Sequence, residues 1–209
     1  FDLIDKECIF EKDNQLYILL RRHISEFISN SIKIHKNKLI LEIGPLGKKN
    51  EELSAKIRKS VFELTEFITD ILKIESIEGH FPHSVGLHQS CHGQRGLKLS
   101  QMSELNAPFF SKPEQLLRKI ENINLVSLNR KDECCGFGGT FCVTEEAISV
   151  KMGKDRIKDH EAQGVEYITG VDMSCLMHME GILRRENSPI KTIHIAEILN
   201  SIHSLENVS

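Results

Sequence analysis

The sequence predicts an α/β protein, a three-layer fold whose largely parallel sheet carries helices on both faces. Short apolar runs of strand length alternate with segments of helical period along the chain. Glycine and proline mark several junctions between them, and four cysteines follow strand ends. In sheets of this kind, sites form at the carboxyl ends of the strands.

Asn14 to Ile32 carries Leu16, Leu19, Leu20, Ile24, Phe27, Ile28 and Ile32 at three-to-four spacing, which predicts an amphipathic helix. Lys38 to Ile43 is a short apolar run stopped by Gly44-Pro45 and Gly47, hence a strand and turn. The helical period returns from Glu51 to Leu72 through Leu53, Ile57, Val61, Leu64, Phe67, Ile68 and Ile71. Ser84 to His88 is a strand that delivers Gln89-Ser-Cys91-His at its end. Pro113 opens a helix with Leu116, Leu117 and Ile120 on its inner side. Leu125 to Leu128 is the next strand, joined by the charged stretch Asn129 to Glu133 to a cysteine-glycine loop. Thr144 is placed to cap a helix that runs to about Ala162 and is closed by Gly164. Tyr167 to Val171 forms a strand feeding Asp172-Met-Ser-Cys175 into another helix, and Lys191 to Ile195 leads into a terminal helix, Ala196 to Ile202.

With 209 residues, the chain has length for one large domain or two small ones. A net charge of −3 gives no nucleic-acid footprint, which needs a strongly basic face, so nucleic acid is not an expected partner. No apolar run reaches the roughly 18 residues of a transmembrane helix, because Leu16 to Leu20 meets Arg21, Arg22 and His23. No secretory signal is present, and a cytoplasmic location is expected, so the 6 cysteines are read as reduced thiols or metal ligands. The chain opens on Phe1, which suggests a processed product or a fragment.

Cys134 and Cys135 are adjacent in Glu133-Cys-Cys-Gly-Phe-Gly-Gly-Thr-Phe141. Two neighbouring thiols followed by Gly136, Gly138 and Gly139 make a loop that can wrap closely around a sulfur-binding group, which core packing alone does not call for. With Cys91 and Cys175 the set reaches four thiols, enough for an iron-sulfur cluster or for zinc. Between Cys91 and Cys134 lie 42 residues, and between Cys135 and Cys175 lie 39, so the ligands come from three separate loops rather than Cys-x-x-Cys hairpins. Vicinal thiolates point in different directions and suit two irons of one cluster better than a single ion.

His88-Gln-Ser-Cys91-His, Cys134-Cys-Gly-Phe-Gly-Gly-Thr-Phe141, Asp172-Met-Ser-Cys175-Leu-Met and His194-Ile-Ala-Glu-Ile-Leu199 resemble the cysteine-rich CCG-domain proteins. The nearest group is the lactate-utilisation iron-sulfur subunit, related to the glycolate oxidase iron-sulfur subunit and to the cysteine-rich subunit of heterodisulfide reductase. The resemblance runs from about Glu51 to Ser201. It implies a cluster, of 4Fe-4S type, on Cys91, Cys134, Cys135 and Cys175. It further implies an electron-transferring subunit working with the other subunits of a lactate or related 2-hydroxy-acid oxidation system. Gly136, Gly138 and Gly139 would permit positive φ and let backbone N–H groups approach the cluster sulfides.

Three features bear on that transfer. The fuller family motif ends in Cys-x-x-Cys, whereas Cys175 is followed three residues later by His178, so His178 is either a nitrogen ligand or a solvent-facing helix residue. His88 and His92 flank Cys91 as hydrogen-bond partners of a cluster or of backbone, with direct ligation the lesser alternative for each and His92 kept among the candidate ligands. Relatives of the lactate type carry two copies of the cysteine motif, but residues 1–50 hold only Cys8. That leaves an atypical helix-strand segment at 1–50 before a CCG-type domain at 51–209. Within it, Leu39-Ile-Leu-Glu-Ile-Gly-Pro-Leu-Gly47 resembles the first glycine motif of S-adenosylmethionine-dependent methyltransferases. The next helix and ribose-binding acid of that fold are missing, so methyl transfer is not expected.

Elsewhere, Cys142 reads as a packed core thiol, Arg95 as a surface ion-pair partner or anion contact, and His194 as a structural histidine. The rival to the cluster is zinc, held by the same cysteines in a closed tetrahedron and stabilising an interaction module without redox activity.

Overall fold

The computed structural model describes residues 9–12, 15–19, 32–35 and 38–41 as strand backbone and residues 60–201 throughout. The chain divides into two compact units, residues 1–71 and 72–209.

In the first unit, β1 (Ile9–Lys12) pairs antiparallel with β2 (Gln15–Leu19), and β3 (Ile32–His35) with β4 (Lys38–Leu41). β5 (Val61–Phe62) runs parallel to β2. The helix expected from Asn14 to Ile32 is therefore corrected at Gln15–Leu19 and at Ile32, which are strand; 20–31 lie outside the described residues. Leu16 to Leu19 is a short apolar run that fits either period, and the ladder to Ile9–Lys12 decides for the strand. β4 covers the start of the methyltransferase-like stretch, whose glycine turn lies outside the described residues. Of the helix expected over Glu51 to Leu72, Val61–Phe62 is strand. Helix α1 (Leu64–Glu66), capped by the Glu63 carboxylate, follows it and continues as a π-helical segment, Phe67–Leu72.

The second unit is built on a four-stranded, all-parallel sheet in the order β7-β6-β8-β9. Its strands are β6 (Ser84–His88), β7 (Asn124–Val126), β8 (Tyr167–Gly170) and β9 (Lys191–His194). Alternation along them sends Val85 and Leu87 to one face and Ile168 to the other. On the first face, α2 (Lys112–Leu117) and α6 (Ile195–Leu199) bring Leu117, Ile195 and Ile198. On the second, α4 (Glu146–Ala162) and α5 (Met173–Arg185) bring Ile157, Leu176, Met179, Ile182 and Leu183. The three-layer α/β arrangement is thus realised in residues 72–201, with helices on both faces of the sheet.

Local chemistry fixes the element ends. Ser111 Oγ accepts from Glu114 N at 3.2 Å and starts α2, with Pro113 in its first turn. Gly164, at φ +67, closes α4. Asp172 Oδ1 accepts from Ser174 N at 3.0 Å and caps α5. His194 caps α6, its Nδ1 accepting from Ala196 N at 3.2 Å while Nε2 faces the Val171 carbonyl at 3.2 Å, which assigns the proton to Nε2. Thr144 does not cap α4; it ends the short helix α3 (Phe141–Thr144), and its hydroxyl donates to the Thr140 carbonyl at 3.3 Å.

The chain steps from β6 outward to β7, then returns across the sheet to β8 on the other side of β6. This reversal is a topological switch point, where the loops leaving neighbouring strands diverge and open a crevice at their carboxyl ends.

Candidate metal centre

Each cysteine reaches that crevice by a different route. β6 ends at His88, and the turn after it carries Cys91 into a π-helical segment, His92–Gly96. Cys134 and Cys135 lie in the connection from β7 to α3. Cys175 sits in the first turn of α5, where the helix dipole favours a thiolate.

The four thiols are free and form one string of neighbours. Cys91 interacts most strongly with Cys134, Cys134 with Cys135 and then Cys91, and Cys135 with Cys134 and then Cys175. At the far end the string meets His88: ligand atoms of His88, Cys135 and Cys175 all lie within 4.8 Å of one another. Cys91 and Cys134 are half-buried, whereas Cys135 and His88 are each 1% exposed.

Protons are shared unequally along the string. Hydrogen bonds from Cys135 and then Cys91, joined by Gly136 N–H at 3.3 Å from Cys134 Sγ, lower the Cys134 pKa. The Cys135 thiol lowers Cys175 to about 6, with burial opposing and His88 assisting. Cys91 and Cys135 are raised, chiefly by donating to Cys134, so the negative charge gathers on Cys134 and Cys175. Low thiolate pKa values beside still-protonated neighbours make a site that exchanges protons for a metal.

Gly136, Gly138 and Gly139 all adopt positive φ, at +86, +56 and +63. At Gly136 a Cβ would also lie 2.6 Å from the Ser149 carbonyl and 2.7 Å from Met152 Cβ, so the loop packs on α4 only without a side chain there. Ser149 Oγ in turn donates to the Gly136 carbonyl at 2.8 Å.

A buried charged network holds the start of the loop. Arg156 on α4 is fully buried, with NH1 3.3 Å from Asp159 Oδ2, and it donates to the Arg130 carbonyl. Asp159 accepts from Asn129 N at 3.2 Å and Arg130 N at 3.0 Å. A second clasp comes from Gln94, whose Nε2 donates to Asp132 Oδ1 at 2.9 Å and ties the Cys91 turn to the Cys134 loop.

The remaining candidates fall outside the string. His178 Nε2 lies 3.3 Å from the Ser149 carbonyl and its ring packs edge-on against Phe137. His92 is exposed. Cys142 is not a core thiol: it is half-buried, and its Sγ donates to the Gly139 carbonyl at 3.0 Å because α3 is a short surface helix. Arg95 forms an exposed ion pair with Glu104. Spacing offered little warning of three contributors. His88 reads in the sequence chiefly as a hydrogen-bond partner beside Cys91, while Arg156 and Asp159 carry no sequence signal of a role at the site.

Residues 85–180 match the family model described as the CCG cysteine-rich domain. Residues 85–180 of the chain thus form a CCG cysteine-rich domain. It is 39% identical over 139 residues to lactate utilization protein A of Lysinibacillus sphaericus, which covers 66% of this chain and 57% of that protein. It is 38% identical over 156 residues to lactate utilization protein A of a Geobacillus species, covering 74% and 61%. The chain thus spans less than two thirds of the length of these relatives. All four cysteines of the string lie inside the matched CCG domain, as does His88.

The donor set fits a sulfur-loving metal group. Four thiols form one string that meets an imidazole at its buried end, and among the described residues neither ring nitrogen of buried His88 has an oxygen or nitrogen hydrogen-bond partner. Among the described residues no helix is long and apolar enough to cross a membrane.

Proposed function

We propose that this CCG domain holds an iron-sulfur cluster on Cys91, Cys134, Cys135 and Cys175 and passes electrons within a system that oxidises lactate or a related 2-hydroxy acid. The observation that carries the reading is the string of four neighbouring thiols at the switch point of a parallel sheet. The cluster, when bound, supplies one-electron acceptance and release. Everything else falls to the protein. Cys134 and Cys175 offer thiolates, the Arg156–Asp159 network fixes the loop, and the Gly136 N–H supports the charge on Cys134. Lactate enters through the names of the relatives, and the electron donor and acceptor would be other proteins of that system.

Anaerobic reconstitution of the full chain with iron and sulfide, followed by iron, acid-labile sulfide and absorption measurements, tests the reading. Iron with sulfide in wild type, and loss of most of it in Cys134→Ser and Cys135→Ser, is the expected result. Full iron content in both variants would show the ligand set to be wrong.

One observation favours a second reading. Cys135, Cys175 and His88 have donor atoms close enough to converge on one ion, as zinc requires. One zinc per chain with neither iron nor labile sulfide would establish that structural role instead.

A further inference from the structure

We propose that His88 supplies a nitrogen ligand to the iron centre, closing with Cys135 and Cys175 a buried subsite separate from the half-exposed Cys91–Cys134 end. His88 ligation presupposes the iron-sulfur reading of the thiols and goes beyond it, because that reading uses sulfur donors alone.

The placement of the ring is the first support. His88 ends β6 on the sheet face covered by α4 and α5, and it is 1% exposed. Its ligand nitrogen lies within 4.8 Å of both the Cys135 and Cys175 sulfurs. Two sulfurs and one nitrogen sharing a tetrahedral ion sit about 3.5 to 3.8 Å apart, given metal–sulfur and metal–nitrogen bonds of about 2.3 and 2.0 Å. A contraction of about 1 Å would seat the metal.

The second support is the state of the ring itself. Among the described residues neither Nδ1 nor Nε2 has an oxygen or nitrogen hydrogen-bond partner, although a buried unpaired polar group costs about 1 to 3 kcal/mol. Donation to Cys175 alone would be the weaker use of such a ring, since sulfur is a poor acceptor. Coordination satisfies one nitrogen with a strong bond. The other histidines near the site are placed differently: His178 faces the Ser149 carbonyl, His194 caps α6, and His92 is exposed.

A neutral imidazole at this position adds no charge, where a further thiolate would add one, and so leaves the centre less negative and its reduction potential higher. The buried end then differs in charge from the Cys91–Cys134 end.

The test uses the full chain, grown with ¹⁵N-histidine and natural-abundance histidine in parallel, reconstituted with iron and sulfide and reduced to a paramagnetic state. Pulsed electron paramagnetic resonance is expected to show the strong hyperfine coupling of a directly bound nitrogen. The coupling should vanish in His88→Ala and persist in His92→Ala and His178→Ala. Should His88→Ala fail to fold or load, His88→Cys replaces it: loss of the nitrogen coupling with a lower midpoint potential is expected, and coupling that survives in His88→Cys overturns the assignment. Wild type that holds iron and sulfide without a coupled nitrogen overturns the assignment and leaves the iron-sulfur reading standing, as does coupling that survives His88→Ala. Zinc without iron, seen by metal analysis, overturns both.

Discussion

Gly136 carries more of the site than its size suggests. Its φ of +86 is a conformation L side chains rarely adopt, and a Cβ would strike the Ser149 carbonyl at 2.6 Å. Gly136→Ala is expected to destabilise the chain by about 2 kcal/mol in urea unfolding and to lower iron uptake, because the loop can avoid the clash only by moving Cys134 and Cys135. His160 makes a pH prediction. Burial, then the Arg156 charge, holds its pKa well below the usual 6.5. Below 6.5 the unfolded chain takes up a proton that the folded chain refuses, so stability falls as pH drops through that value. Urea unfolding of the metal-free chain at several pH values between about 7.5 and 5.5 should show this slope, and His160→Gln should flatten it. Identical slopes in the two proteins would refute the assignment. The cysteines and glycines were legible in the sequence because their grouping is unusual. His88 was seen as a hydrogen-bond partner beside Cys91 and not as a neighbour of Cys175, since its distance to Cys175, 87 positions away, is a product of folding.

Helix α4 shows why an element can be placed correctly and still be misread. Its length and closing Gly164 follow from local rules while its start does not, since Thr144 ends α3 instead of capping it, and its buried side presents Ser149, Gly153, Arg156 and His160 beside Ile157. A polar inner face of this kind defeats apolar periodicity, which expects leucines there. The inner face is polar because it holds backbone: Asp159 takes the Asn129 and Arg130 amides, and Arg156 reaches the Arg130 carbonyl. Asp159→Ala removes both amide acceptors and leaves Arg156 buried without its closest carboxylate. A loss of about 3 to 5 kcal/mol is expected, read by chemical denaturation, together with weaker iron retention. Asp172→Ala, which removes the cap of α5, should cost only about 1 kcal/mol, and equal losses from the two variants would contradict this ranking. Gly86 lets the same helix approach the sheet: a Cβ there would lie 2.3 Å from His160 Nδ1.

At the scale of the molecule, the site joins three connections of one sheet in the second unit, so metal and fold should stabilise each other. A ligand bound only by the folded state adds stability in proportion to the logarithm of its concentration over its dissociation constant. Reconstituted chain is expected to melt above the metal-free chain, and Cys175→Ser to lose most of that difference; equal melting temperatures would mean the group does not span the three loops. Local patterns in the chain were enough to specify the parallel α/β plan of residues 72–201 and the CCG domain, because strand-helix alternation and the Cys-Cys-Gly string are both read within short windows. The same windows misjudged Gln15–Leu19, where a short apolar run fits two periods and only its pairing with β1 selects one. Folding in three dimensions supplied what those windows lack. Strand order placed β6 beside β8, which brings His88 against Cys135 and Cys175, and helix packing turned Arg156 and Asp159 inward onto the ligand loop. Those are contacts between residues far apart in the chain, and no local pattern encodes a distance that only the sheet creates.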